Sequence, residues 1–494
     1  MQLREILKYY HTIKYLKWIQ VRYQLWYRLQ KMIGYTPKIP TAHLSEVVQL
    51  PTFRSTPIKS YTAWLGNGQF KFLNIQHEFG EVINWNMDRH GKLWTYNLNY
   101  FEFLLQENMS AAEGRALIAD FIKKENEILD GMESFPTSLR IIFWVKFLSI
   151  NKINNSFINA SLYRQMYRLS AQPEYHLLGN HLLENGFGLL FGGVYFADKK
   201  IIRQAIKIIT QQLQEQILSD GAHFELSPMY HQIMVYRILD SIHLLRANRD
   251  VPAEHLLVRL ENKAALMLGW MKQLTINETS MLCLNDATDG VAPTARDLFR
   301  YAKWLGIDIR QVPLGASGYR RFSNEKIDAI VDVGHVGPDY IPGHAHSDTF
   351  NFVLYYGGQP LIVDTGISTY EKNKKRTLER STSAHNTVKI NRTEQSEMWG
   401  GFRVGRRARV TVLDETPDTI TASHDGYQHL GCTHRRRFSI HPQQFEIRDV
   451  IEGKGTGQAY FHFHPEIVIT RNTRSVAGAF WEMKFDGCDE LIVE

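Results

Sequence analysis

Apolar positions recur every third and fourth residue across a long middle stretch of the chain, from about residue 100 to about residue 310. AAEGRALIADFIKKENEIL, IIRQAIKIITQQLQEQIL, MVYRILDSIHLLRANRD and AEHLLVRLENKAALMLGWMKQL all show it. This period predicts amphipathic helices. The links between them are short and often polar, which favours stacked antiparallel pairs. Such pairs can close into a ring, and an incomplete α/α toroid is expected. After GASGYRRFSNEK the pattern changes to short alternating or apolar runs about ten residues apart: AIVDVGHV, TFNFVLYY, QPLIVDTG, HNTVKINR, ARVTVLDE, TITASHDG, RRRFSIHP, FEIRDVIEG and AYFHFHPEIVIT. That spacing predicts an antiparallel β-sandwich. The expected class is therefore α+β and multidomain, with a helical domain over 1–315 and a β-sandwich over 316–494. No internal repeat or low-complexity segment interrupts it.

A chain of 494 residues exceeds one ordinary domain, in keeping with that division. Hydrophobic residues make up 44% and charged residues 22%, a globular composition. The net charge of +6 permits an anionic partner without requiring one. Two arginine clusters, Arg403, Arg406, Arg407 and Arg409, then Arg435, Arg436 and Arg437, read either as solvated strand faces or as a rim that attracts an acidic polymer. No helix-turn-helix, RNA-recognition or zinc-finger spacing points to nucleic acid. The three cysteines, Cys283, Cys432 and Cys488, are too few and too far apart for a disulfide framework or a cysteine zinc site.

The opening, MQLREILKYYHTIKYLKWIQVRYQLWYRLQK, is basic, aromatic and helical in pattern. It has no uninterrupted apolar run and no small-residue cleavage site, so it does not read as a signal peptide. A cytoplasmic location is expected on that ground, with the periplasm as the alternative. No apolar run approaches the ~20 residues that cross a bilayer. A helix packed on the protein's own body is preferred to a membrane-surface helix.

Four segments carry candidate chemistry. In YHLLGNHLLENGFGLL, Asn180 and His181 interrupt an apolar run, and alone they read more readily as a buried polar pair than as a site. In DGAHFELSPMYHQIMVYRILD, a helix is predicted from near Pro228, with Tyr230 and His231 in its first turn. A tyrosine there can donate a proton, or act as a base if its pKa falls; an aromatic anchor is the competing reading. PGHAHSDTFNFVLYYGGQPLIVDTG places His344 and His346 two apart, on one side of an extended backbone. With Asp364, and His385 from RSTSAHNTVKINR, sheet strands can gather His346, Asp364 and His385, a donor set that suits Zn²⁺. The second such pair, His462 and His464, reads as ordinary sheet residues.

In their order along the chain, GNHLLENG, DGAHFELSPMYHQ, GHAHSDTFNF with GGQPLIVDTG, and AHNTV resemble the heparinase II/III family of polysaccharide lyases, which is related to alginate-lyase families of the same architecture. LWTYNLNYFEFL and SFPTSLRIIFWVKFL look like its N-terminal helical domain. The resemblance runs from about residue 80 to about residue 400 and lies in the ordered set of motifs. It implies a toroid followed by a sandwich. It implies β-elimination in an acidic polysaccharide, leaving a 4,5-unsaturated uronic acid. Asn180 and His181 then match the groups that meet the uronate carboxylate, and Tyr230 and His344 the proton-transfer pair, with base and acid roles left open. His346, Asp364 and His385 match the ligands of a structural zinc. Arg140 and Trp144, a turn apart on a helix, are expected to face the groove, the one gripping a sugar acid and the other stacking on a ring; a buried tryptophan with a surface arginine is the plainer reading. A non-catalytic binder of acidic polysaccharide, or a glycoside hydrolase drawing on Glu184, Glu225 or Asp286, remains the alternative. Oligomeric state and the identity of the polysaccharide are open.

Overall fold

The computed structural model describes residues 3–40, 48, 50–58, 60 and 63–494. Met1 and Gln2 of the basic opening lie outside them. That opening folds as α1 (Leu3–Ile13) and α2 (Trp18–Met32). Both sit on the protein's body. The Thr12 hydroxyl donates to the Val404 carbonyl at 3.2 Å, and the Gln20 amide donates to the Leu177 carbonyl at 3.1 Å. A small antiparallel sheet follows, β1 (Trp64–Gly66), β2 (Gln69–Phe72) and β3 (Ile75–Glu78). The hydrophobic pattern did not announce it.

The helical region runs through α3 (Lys92–Tyr100), α4 (Ala111–Lys124), α5 (Ser134–Ile150), α6 (Ser156–Ala171) and α7 (Gly179–Tyr195). It continues through α8 (Lys199–Gln216), α9 (Pro228–Ala247), α10 (Glu254–Leu274) and α11 (Ala295–Trp304). Their starts follow capping chemistry. The Asp198 carboxylate accepts from the Lys200 and Ile201 amides at the head of α8, and Ser227 with Pro228 opens α9. Ile201, Ile202, Ala205, Ile208, Ile209 and Leu213 then bury one stripe of α8. Helix α7 is buried on nearly every side. Its glycines allow this: a Cβ at Gly188 would lie 2.8 Å from the Ser138 Cα of α5.

The C-terminal region holds two four-stranded antiparallel sheets. The first is β4 (Tyr319–Ser323), β5 (Ile327–Asp332), β6 (Phe352–Tyr356) and β7 (Gln359–Ile362), in that order. A short helix, α12 (Lys374–Glu379), and three small strands, β8 (Val388–Ile390), β9 (Met398–Trp399) and β10 (Arg403–Val404), come next. The second sheet is β11 (Val410–Thr416), β12 (Thr419–His424), β13 (Thr433–His441) and β14 (Gln444–Glu452). Phe322, Val331 and Phe352 of the first sheet share an apolar cluster with Ile420, Ala422 and Phe438 of the second. The expected strand over AYFHFHPEIVIT is not continuous: Ala459 ends a strand, Gly457–Ala459, paired with β8, Phe463 forms one bridge, and Thr470 begins a strand paired with Ser475–Ala477.

Strand β5 is buried on both faces. Its other face, through Ile330, and Val353 of β6 pack against Ala222, Trp270, Leu274 and Leu284 from the helical region. Polar ties reinforce this junction. The Asp220 carboxylate accepts from the Ser317 amide and hydroxyl at 2.8 and 2.7 Å, and the Tyr319 hydroxyl donates to the Leu226 carbonyl at 2.8 Å. The first turn of α9 and the segment between β5 and β6 are thereby held against each other, and the candidate site lies there.

Candidate active site

Tyr230 occupies the first turn of α9, as its place after Ser227 and Pro228 predicts; the Ser227 hydroxyl accepts from its amide at 3.5 Å. His344 lies on the segment between β5 and β6. The two rings stack, with centroids 3.8 Å apart and planes 28° from parallel. The helical and sheet halves thus each supply one member of a tyrosine–histidine pair. The Tyr230 hydroxyl donates to that of Tyr370 at 3.3 Å. Burial, with Tyr370 and the nearby Asp286 carboxylate adding to it, holds the Tyr230 phenol well above its ordinary pKa.

His344 has a firm support that the sequence reading left unassigned. Its Nδ1 lies 2.9 Å from Asp286 Oδ2, while His346 Nε2 lies 2.8 Å from Asp286 Oδ1. The two histidines of the HxH motif therefore converge on one carboxylate. Arg376 of α12 donates to the same two oxygens at 2.5 and 2.6 Å, a bidentate pair. Burial by itself would raise the Asp286 pKa. The Arg376 guanidinium and the bonds from both histidines outweigh it and hold the carboxyl well below the usual range. Asp286 is fully buried, whereas the His344 side chain is 15% exposed.

On the opposite side of His344, Glu225 Oε2 lies 3.6 Å from Nε2. Glu225 Oε1 accepts from the Asn180 backbone N–H at 3.3 Å, at the positive end of α7. Burial raises the Glu225 pKa, and the neighbouring His344 opposes the shift. Asn180, Glu225, His344 and Tyr230 thus form a continuous chain of neighbours. His181, one residue on, is partly exposed and pairs through Nδ1 with Glu174 Oε1 at 3.1 Å. Burial works against its charge, but Glu174 more than compensates and raises its pKa.

Arg140 and Trp144 require a correction. Both are fully buried and face no groove. The Arg140 guanidinium donates to the Asn99 and Gly131 carbonyls at 3.0 and 2.8 Å and to the Gln165 side chain at 2.7 Å. The Trp144 ring packs edge-on against Phe101 and Phe121. Helix α5 is buried on nearly all sides, so a turn's spacing does not select a solvent face. The signal was present in SFPTSLRIIFWVKFLSI: a lone arginine in an apolar helix terminates buried carbonyls. Two members of the arginine clusters are likewise buried and paired, Arg436 with Asp449 and Arg407 with Asp339.

His346, Asp364 and His385 do come together. The rings of His346 and His385 have centroids 5.2 Å apart, and His385 Nδ1 lies 2.7 Å from Asp364 Oδ2. Asp364 also accepts from the Gly366 amide at 2.8 Å and the Asn351 side chain at 2.5 Å. His346 Nδ1 and His385 Nε2 are both buried and have no hydrogen-bond partner, the condition of nitrogens that meet a ligand of another kind. Two imidazoles and a carboxylate fit Zn²⁺ in type. As placed, no three His, Cys, Asp or Glu side chains among the described residues converge closely enough to hold an ion.

A mainly helical region abutting antiparallel sheets, with a tyrosine from one and a carboxylate-held histidine from the other, defines a two-part α+β protein with its candidate site at the junction. Comparisons with known proteins are specific. The profile described as Heparinase II/III N-terminus matches residues 135–304, and that described as Heparinase II/III-like, C-terminal, matches residues 310–489. The chain belongs to the heparinase II/III family. It is 24% identical over 323 residues to a heparin-sulfate lyase of Bacteroides stercoris, an overlap of 58% of this chain and 46% of that protein. It is 22% identical over 392 residues to a heparin-sulfate lyase of Pedobacter heparinus, covering 69% and 54% respectively. The chain thus spans about half the length of the curated relatives it matches. A crystal structure of heparinase III superposes with a TM-score of 0.66 at 17% identity, over 92% of this chain and 80% of that one. A heparan sulfate lyase from Pedobacter heparinus superposes with a TM-score of 0.52 at 17% identity, over 84% and 72%. At such identities the superpositions establish the fold.

Proposed function

We propose that the chain is a polysaccharide lyase that cleaves a uronic-acid-containing polysaccharide of the glycosaminoglycan class by β-elimination. The helical region is read as an incomplete α/α toroid and the two facing sheets as a β-sandwich. The stacked Tyr230 and His344, one from each half, carry the proposal. The names of the relatives, heparin-sulfate lyases, support the substrate class.

The chemistry runs as follows. The C5 proton of a uronate is barely acidic while its carboxylate keeps full charge. Asn180 and His181 meet that carboxylate and make the enolate-like charge that develops on it less costly. The raised pKa of His181 favours the cationic imidazolium that this role needs. His344 donates through Nδ1 to Asp286, which leaves the Nε2 lone pair, on the Glu225 side of the ring, as the base, the arrangement of a carboxylate-held imidazole. It takes the C5 proton; the C–H electrons form the C4–C5 double bond, and the C4–O4 bond breaks. Tyr230, kept protonated by burial, delivers its proton to the leaving O4 oxygen. The products are a 4,5-unsaturated uronic acid and a new hydroxyl end.

Zn²⁺ held by His346, Asp364 and His385 would supply structural cross-linking beneath the His344 segment. The two unpartnered imidazole nitrogens support it. Metal analysis of the purified protein tests this, with about one zinc per chain expected and its loss in His385→Ala. Hydrolysis is disfavoured, because it needs two carboxylates facing one bond. Glu225 and Asp286 both flank His344, but Asp286 is fully buried and committed to Arg376.

The decisive assay is incubation with heparan-type, alginate and exopolysaccharide polymers. Rising ultraviolet absorbance from the unsaturated end is expected. New reducing ends without that rise would mark a hydrolase, and tight binding with neither would mark a binder.

A further inference from the structure

Helices α1 and α2 are inside out. The stripe of α2 that meets the body is polar or phenolic: Gln20, Tyr23, Tyr27 and Gln30, at helical spacing. It is held by hydrogen bonds, Gln20 to the Leu177 carbonyl at 3.1 Å and the Tyr27 hydroxyl to the Pro173 carbonyl at 2.6 Å. The outward stripe is apolar. Trp18 is 74% exposed, Leu25 58%, Leu29 47% and Met32 84%. Helix α1 repeats the arrangement. Thr12 and Tyr9 touch Val404 and Trp399, while Ile6, Tyr10 and Ile13 lie exposed at a spacing of four and three. A helix that stabilised the fold only by burial would turn these faces the other way. Large aliphatic and indole side chains gathered on one solvent face mark an interaction surface.

The charge has one sign. Residues 1–35 carry seven Lys and Arg and one acidic residue, a net of +6. The whole chain also carries +6, so the remainder of the protein is balanced. Lys14, Arg22, Arg28 and Lys31 are exposed among the apolar side chains.

We infer that α1 and α2 form a docking surface for an anionic lipid bilayer. The helices lie in the interface, with the Trp18–Met32 stripe among the acyl chains and the flanking cations on lipid phosphates. An acidic polysaccharide would complement the charge, but it offers nothing to Ile6, Ile13, Leu25 or Met32. A second copy would bring +6 against +6. A bilayer satisfies both observations.

The test uses the full chain and sedimentation with vesicles of phosphatidylcholine, with and without phosphatidylglycerol. Partition into the anionic vesicles is expected to be on the order of 100-fold stronger, since each cation near such a surface contributes about 1 kcal/mol and several act together. High salt should weaken it. The double variant Trp18→Ser, Met32→Ser removes two side chains that are mostly in solvent. It should lower partition at least about tenfold and leave thermal melting and turnover unchanged. No partition into anionic vesicles overturns the inference. So does equal partition by the variant, or heparin binding through α1 and α2 that persists in the variant, since either makes the surface a polyanion site driven by charge. Self-association of the chain that the variant abolishes, without vesicle binding, overturns it in favour of a second copy.

Discussion

Replacing Tyr230 by phenylalanine removes one oxygen atom and little else. The ring remains, and so does its stacking on His344 at 3.8 Å. Among the described residues, the hydrogen bond lost with the hydroxyl is that to Tyr370, at 3.3 Å and between neutral groups. A bond of that length and kind contributes about 0.5–1 kcal/mol net, so the variant should fold and melt almost as the parent does. Catalysis should respond on another scale. If Tyr230 delivers the proton to O4, its loss removes general acid assistance of about 10²–10⁴ in rate, or about 3–5.5 kcal/mol in the barrier. Because the hydroxyl acts on charge that develops only in the transition state, kcat should fall while KM stays near its parent value. The assay is the initial rate of ultraviolet absorbance increase over a range of polymer concentrations, beside a denaturant melt of the same preparation. A variant that keeps kcat within about threefold would refute the assignment of Tyr230 as donor.

Three further outcomes are expected. Asp286→Asn leaves the fully buried Arg376 without its counter-charge and should cost about 3–5 kcal/mol in a denaturant melt, with part of the loss recovered by adding Arg376→Gln. Gly188→Ala sets a Cβ 2.8 Å from the Ser138 Cα, where backbone cannot yield, and should cost about 1–3 kcal/mol by thermal melting. Burial would raise the Asp449 pKa, but the buried Arg436 guanidinium holds it well below the usual range. Its stabilising contribution is therefore complete above its unfolded pKa of about 3.9 and is lost as pH falls toward the lower folded value. Melts of Asp449→Asn from neutral pH down to acid should start lower and show a shallower acid decline than the parent.

Much of this architecture is legible in the order of apolar positions. The helices from Ala111 to Leu274 and eight of the nine predicted strands fall on observed elements, because their periodicity reports one buried face. The short sheet from Trp64 to Glu78 escaped notice, since three- and four-residue strands carry no readable period. At the candidate site the legible residues were those in dense local motifs: Tyr230 after its Ser–Pro cap, and His344 with His346. Asp286, Arg376 and Tyr370 lie 26 or more positions from both Tyr230 and His344, and Glu225, though five before Tyr230 in the same motif, meets His344 across 119 positions; the sequence offered Glu225 and Asp286 only as candidate hydrolase carboxylates, and tertiary packing gives these four their places. Arg140 failed for the opposite reason. Its local spacing suggested a face, but α5 is enclosed on every side.

The sharing of one carboxylate by His344 and His346 has a consequence for anyone who would redesign this protein. Each oxygen of Asp286 is already spoken for by a different ring and by the same guanidinium, so the three groups behave as a single lever. A change at His346, made to test the proposed zinc site, would also free one Asp286 oxygen and let the neighbouring His344 imidazole turn, altering the proton transfer proposed for it. Retuning one function in isolation would first require giving each histidine an acceptor of its own.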